Sequence, residues 1–435
     1  MKKQPLLAVL VVAAMAPGLA SAETVETNGT IWTYTINDVT AKTVTLEGGS
    51  TVADTIDAHT IPEALIIDGE TYTVSQIGAE AFRANLKLKG VLTIPDSVTF
   101  VGENAFTDCT GLTGISTLGG VTRFGTYVFN GCTNMGGSLP DLSKVTTLGA
   151  GLFQFCNKLT GEPRFNPALT EIPRRLFYFN WNSAGSITKL DIPRSVTSIG
   201  EKAFQNQHLL SGAWIKGPVT VAANQKYATV NANETFSGAL SLKIVICGPN
   251  TKGSNLTAGT MLTSVTEGCK VLVPANGYWT GLTVGGANNE VIYYGAGEAF
   301  DISADETTMT LDATPTTEAS LVKVLELAPL FKEHLGLNTR VNVTNTIEAT
   351  AGTITASMLE NIKFNSLLLT FAVKTQAALD SVLAAIPASP YPLLAIDPTG
   401  ASEELTLPSD REVWVRLSGT GKYTPKIKGL VISYL

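Results

Sequence analysis

The sequence predicts a repeat solenoid of short parallel strands, followed by a separate C-terminal domain of α+β or β-sandwich-like type. Three observations lead there. A glycine followed four residues later by phenylalanine recurs along residues 77–216, and the clearest copies add Cys three residues on and Leu or Met three beyond that. The keyed residues Phe82, Phe106, Phe129, Phe153, Phe177 and Phe204 stand 24, 23, 24, 24 and 27 residues apart, and a fixed period of this size marks stacked coils. Charged residues make up only 15 % of the chain, and Thr, Gly, Ser and Asn supply the polarity. That composition suits turns and strands better than solvated helices.

Residues 1–22 read as an export leader. Lys2 and Lys3 precede an apolar run from Leu6 to Met15, and Ala20-Ser21-Ala22 is a small-residue cleavage site before Glu23. The run is too short for a spanning helix, and no later stretch is long and apolar enough to cross a membrane. The expected location is therefore the cell surface or the medium, with the periplasm also open. Two of the 30 basic residues fall in the leader, so the remainder, with 37 acidic residues, carries a formal charge of −9. Such a balance argues against nucleic acid as a partner.

Residues 23–76 precede the first repeat and form an expected N-terminal β cap. Thr30–Ile36 and Thr43–Leu46 alternate as strands do, and Glu70–Val74 follows the Asp68-Gly69 turn. A first coil has no neighbour on one side, so its core and its strand edge need such a cover. Within the repeats a short apolar strand such as Val91–Ile94 or Ile187–Ile192 ends at Pro95 or Pro193, where the ring stops the ladder and stiffens the bend. A second short apolar segment reaches the glycine, and the Phe then points inward. Stacking aligns like with like, and each buried ring contributes about 1.5–3 kcal/mol.

The run Ile94-Pro95-Asp96-Ser97-Val98, then Val101-Gly102-Glu103-Asn104-Ala105-Phe106, then Cys109 and Leu112 resembles the BspA-type leucine-rich repeat over about residues 60–245. Leu190 to Phe204 carries the pattern a second time. The resemblance implies a right-handed solenoid with a parallel sheet on one face. It also implies export to a bacterial or protozoan surface, where several members bind host extracellular proteins. Two copies depart from the pattern: the fifth lacks the Cys, and the sixth has Gln207-His208 in its place. Those coils are expected to be distorted.

Residues 217–297 are expected to be degenerate repeats and a C-terminal cap. They hold one more Phe turn at Phe236 and strands at Ile244–Ile246, Val271–Pro274 and Val291–Tyr294. Gly295-Ala296-Gly297 marks a boundary. Residues 298–435 show no Phe period; strands are expected near Met309–Leu311, Arg340–Val343, Ser366–Val373, Glu412–Leu417 and Leu430–Leu435. Helices are expected at Ala319–Leu335, bent or split by Pro329, and at Gln376–Ile386.

Chemistry-bearing constellations are sparse. The chain has three histidines, His59, His208 and His334, no G-x-S-x-G elbow and no C-x-x-C pair. Gly419-Thr420-Gly421-Lys422-Tyr423 puts Tyr where a phosphate loop needs Ser or Thr. No catalytic residue, cofactor or metal site is expected. Cys109, Cys132 and Cys156 share one repeat position and read as buried thiols, while Cys247 and Cys269 are free to pair or not. The informative cluster is basic and aromatic: Arg164, Arg174, Arg175, Tyr178, Phe179, Trp181 and Arg194. These residue types dominate interface hot spots, so they form a candidate ligand-contact patch, or else half core and half solvated flank. Tyr278-Trp279 either stacks on a sugar ring or plugs a solenoid end. The expected function is non-catalytic binding of an extracellular or host protein or glycan, as in adhesion. Self-association as an envelope or biofilm component is the second reading, and an enzyme in residues 298–435 the third.

Overall fold

The structure is a computed structural model of the chain. It describes residues 22–51, 56–57, 61–179, 185–221, 236, 238–253, 267–279, 288–298, 300–304, 308–313, 317–342, 346–350, 353–359, 362–364, 368–386, 393–410, 413–416, 423–427 and 431–432. The chain falls into two compact units: Met1–Val271 with Gly277–Val291, and Leu272–Asn276 with Ile292–Leu435.

The first unit is the solenoid, and each coil has three sides. A longer strand forms the first. Leu88–Thr93 runs parallel to Leu112–Thr117, Gly136–Ser138 to Lys158–Gly161 and then to Ser186–Ile187, and Lys189–Ile192 to Gly212–Ile215 and Ile244–Cys247. After the bend a two-residue strand forms the second side. Phe100–Val101 pairs with Glu70–Ile77 and with Arg123–Phe124, and Glu171–Ile172, Ser198–Ile199, Thr220–Val221 and Lys252–Gly253 continue the arrangement. The Phe turn is the third side. It is also a ladder: Phe82 N–H donates to Ala105 O, Phe106 to Val128 O, Phe129 to Leu152 O and Phe153 to Leu176 O, all at 2.7–3.0 Å. The residues two before and two after each Phe donate to the next coil in the same way.

That third ladder has a backbone signature. The residue two before each Phe is left-handed in all six coils: Glu80, Asn104, Tyr127, Gly151, Arg175 and Lys202, with φ between 54° and 62°. Most of these are not glycine, so the conformation costs energy. The inter-coil hydrogen bonds and the buried ring hold it in place. Glycine is needed instead where coils touch: a Cβ on Gly149 would stand 1.7 Å from Gly125 O.

Inside, the six keyed rings form one column, and Phe236 adds a seventh rung. Centroid separations are 5.2, 5.5, 5.5, 5.5, 6.2 and 5.9 Å, with interplanar angles of 2–23°. Trp32 meets Phe82 edge-on at 6.4 Å and covers the open end. It comes from the antiparallel strands Glu23–Thr27, Thr30–Asp38 and Thr43–Thr51. Beside the rings runs the cysteine column. Each Sγ–H donates to the Phe carbonyl of the preceding coil: Cys109 to Phe82, Cys132 to Phe106 and Cys156 to Phe129, at 2.8–3.1 Å. All five cysteines are free and buried, Cys247 and Cys269 included. Burial pushes the thiols up, to about 12 for Cys109, Cys247 and Cys269.

The coils expected to be distorted keep their rung. Gln207 is fully buried and takes over the cysteine's role: its Nε2 donates to Phe177 O, and its Oε1 accepts from Ile187 N at 2.9 Å. The longer amide adds a bond the thiol cannot make, and the Phe177–Phe204 separation widens only to 6.2 Å.

The second unit is built on parallel strands and helices, unlike a sandwich of antiparallel sheets. In one sheet Phe300–Ala304 pairs antiparallel with Thr308–Ala313, which runs parallel to Asn338–Asn342 and on to Ile362–Phe364. In the other Thr346–Ala349, Leu368–Ala372, Leu393–Asp397 and Val413–Arg416 are parallel, and Tyr423–Ile427 closes antiparallel. The helices are α1 (Glu318–Leu335), α2 (Ala356–Leu359) and α3 (Gln376–Ala385). α1 passes through Pro329 without splitting, anchored by Leu321, Val324, Leu325, Leu327, Ala328 and Phe331. A Thr317–Ser320 capping box starts it and left-handed Gly336 ends it.

Candidate functional site

The solenoid spends its interior on packing, so any site lies on the outside of a coil. In each Phe turn two positions flank the inward ring, one two residues before the Phe and one just after it. The pairs are Glu80 and Arg83, Asn104 and Thr107, Tyr127 and Asn130, Gly151 and Gln154, Arg175 and Tyr178, and Lys202 and Gln205. In the first two coils the pair satisfies itself: Arg83 Nη1 donates to Glu80 Oε1 at 2.7 Å, and Thr107 Oγ1 donates to Asn104 Oδ1 at 3.1 Å.

The third to fifth coils differ. Asn130 Oδ1, Gln154 Oε1 and Arg175 Nε are buried atoms without a hydrogen-bond partner. Gln154 as a whole is 8 % exposed. Gly151 leaves a gap in the outer column, and the Tyr127 ring leans into it, 2.4 Å from where a Cβ would stand. Arg174 reaches back two coils, and its Nη2 donates to Tyr127 Oη at 3.5 Å. Tyr178 packs against Phe155 at 5.3 Å with the rings tilted by 59°. Among the described residues no carboxylate lies within ion-pair distance of Arg174 or Arg175.

The basic and aromatic cluster read from the sequence therefore divides. Arg174, Arg175 and Tyr178 share the Phe-turn side. Arg164 and Arg194 lie exposed on the bends after the longer strands Lys158–Gly161 and Lys189–Ile192. Asp141 is held below the usual carboxylate range, chiefly by its hydrogen bonds from Ser143 and to a smaller degree by the Arg164 charge. Phe179 is core, and Trp181 lies outside the described residues. Tyr127, Asn130 and Gln154 were not singled out in the sequence, although their shared offset from successive phenylalanines is visible there once the column is known. The Tyr278-Trp279 pair separates as well. Trp279 is 1 % exposed and its Nε1 donates to Thr251 O at 3.3 Å, while Tyr278 is 54 % exposed. Trp279 is thus a core residue, and the two rings do not make a joint sugar platform.

Among the described residues no group of His, Cys, Asp and Glu is arranged to hold a metal ion. No helix among them is long and apolar enough to cross a membrane.

A search of curated proteins finds no match. Solved structures that the chain is matched to include a leucine-rich cell surface protein from Faecalibacterium prausnitzii, 15 % identical, covering 84 % of this chain and 99 % of its own, with a TM-score of 0.38. A leucine-rich repeat protein from Bacteroides ovatus is 16 % identical, with 88 % of each chain covered and a TM-score of 0.37. The family model of the BspA type leucine-rich repeat region matches six copies, over residues 75–211 and 138–245. Those are the coils whose rings, thiols and turns stack in register, so this stretch of the chain is a BspA-type leucine-rich repeat region.

Proposed function

We infer that this is an exported, non-catalytic, surface-associated repeat protein that binds a protein or glycan outside the cell. The observation that carries the reading is the contrast between the coils' two sides. The interior is filled by one continuous ring column. The turn side of coils three to five instead holds two tyrosines and two arginines with unsatisfied polar atoms between them. Stiff solenoids with extended faces serve recognition, since they present a surface without having to order it on binding. Export rests on the leader-like residues 1–22, of which 1–21 lie outside the described residues.

The test is a panel of immobilised extracellular matrix proteins and glycans probed with the intact chain. Saturable binding to a member of the panel is expected. Absence of binding across the panel sinks the reading. Mass spectrometry of the exported protein should place its first residue at Glu23; a retained leader would remove the export step.

A further inference from the structure

We propose that the Phe-turn side of the third to fifth coils binds an acidic saccharide, a pyranose ring bearing a carboxylate or a sulfate. This rests on the binding reading above and narrows it to one site and one ligand chemistry.

A buried polar atom without a partner costs about 1–3 kcal/mol, and a native structure rarely keeps one without a reason. Here three occur in consecutive coils, at Asn130 Oδ1, Gln154 Oε1 and Arg175 Nε. The corresponding pairs in the first two coils are satisfied within themselves. The unsatisfied set is mixed: two amide oxygens that accept and one guanidinium nitrogen that donates. Sugar hydroxyls donate and accept from one small group, so they match both kinds.

The side chains around these atoms set the rest of the chemistry. The Tyr127 ring lies over the gap at Gly151, and Tyr178 stands on the next coil. Flat rings beside amides suit the C–H face of a pyranose. Arg174 and Arg175 bring two positive charges without an ion-pair partner among the described residues, in a chain of net charge −7. Guanidinium pairs best with a planar carboxylate or with the oxygens of a sulfate. A neutral sugar would leave both charges uncompensated. An acidic peptide side chain would bring no hydroxyl to Asn130 and Gln154.

Titration calorimetry of the intact chain tests the assignment with four probes: a hyaluronan octasaccharide (carboxylated), a sulfated maltooctaose (sulfated, without carboxylate), maltooctaose (neutral) and a polyglutamate peptide. One acidic oligosaccharide should bind at least tenfold more tightly than maltooctaose and than polyglutamate, and which one it is identifies the anionic group. Arg174→Glu, at an exposed position, should weaken that binding at least tenfold. Arg175→Asn should weaken it as well, since Asn tolerates the left-handed backbone there. Unchanged thermal unfolding of each variant shows that the fold persists. Equal binding of maltooctaose, preference for polyglutamate, or variants that bind like the parent would each overturn the assignment. If no saccharide binds but a matrix protein does, this site falls and the broader reading stands; if nothing binds, both fall.

Discussion

The two units solve the same stacking problem with different parts. In the first, every coil turns back through a six-residue loop around one phenylalanine, and like residues lie above like: Phe on Phe, Cys on Cys. In the second, coils also repeat a strand of one sheet and a strand of another. Thr346, Leu368 and Leu393 lie side by side although 22 and 25 residues separate them. The return path from Leu368–Ala372 to Leu393–Asp397 runs through α3, ten residues long, and in the other sheet α1, 18 residues long, joins Thr308–Ala313 to Asn338–Asn342; the four-residue α2 lies between Thr346–Ala349 and Leu368–Ala372. A helix buries a broad aliphatic stripe, and no single residue type has to recur. The first solution requires sequence identity at fixed positions. The second requires only an apolar face, so its period leaves no imprint on the sequence.

The largest expected contrast is with alkali. All five buried thiols belong to the first unit and none to the second. A thiol with its folded pKa raised above the ordinary 9.0 is neutral in both states below pH 9, and there the stability it contributes is complete. Between 9 and 12 only the unfolded chain loses the proton, so stability falls as pH rises, by about 1.4 kcal/mol per thiol per pH unit. The first unit should therefore open between pH 9 and 11 while the second persists. Limited proteolysis mapped by mass at pH 8 and pH 10.5 checks this; cleavage spread evenly over both units would contradict it.

Next in size is the column itself. Phe153 stacks on Phe129 and Phe177 at 5.5 Å on either side. Phe153→Ala should cost the first unit about 3–5 kcal/mol. Since each coil is supported by its neighbours, the loss should divide the solenoid, and urea unfolding of that unit should show a separate early step. A single unshifted transition would mean that the rings are not what couples the coils.

How much of this could be read from the chain follows from the same contrast. The ring column, the bends at Pro95 and Pro193 and the thiol positions were legible because stacking forces identity. In the sixth coil the distortion expected where Cys is missing does not occur, because Gln207 makes the same bond to the Phe177 carbonyl; the equivalent position of the fifth coil, residue 180, lies outside the described residues. Spacing alone does not reveal that a longer amide reaches where a thiol did. The third ladder was hidden as well. Glu80, Asn104, Tyr127 and Lys202 share a left-handed backbone but no side-chain chemistry. Of the candidate site, Arg174, Arg175 and Tyr178 were visible as a basic and aromatic run. Gln154 was not, because its meaning comes from the empty Gly151 position beside it.

The Gln207 substitution offers a smaller test. Gln207→Ala removes the bonds to Phe177 O and from Ile187 N in the core and should cost about 2–3 kcal/mol. Gln207→Cys should recover part of it, since a thiol restores the bond to the carbonyl and not the one from Ile187. Equal urea midpoints for the two variants would show that the carbonyl bond contributes nothing.

The smallest effects come from left-handed residues, and here the units should respond with opposite sign. Gly336 ends α1 at φ 73°, its N–H bonded to the last carbonyls of the helix. Gly336→Ala adds a Cβ that this conformation disfavours and should cost about 1 kcal/mol. Ala84 already carries that penalty at φ 52°, where its N–H is bonded to Thr107 O of the next coil. Ala84→Gly relieves the strain but gives the unfolded chain more freedom. The two terms nearly cancel, leaving a gain of about 0.5 kcal/mol. Thermal midpoints of the two variants should move in opposite directions. A fall in both would mean that the inter-coil hydrogen bond, and not the side chain, determines the energy of these turns.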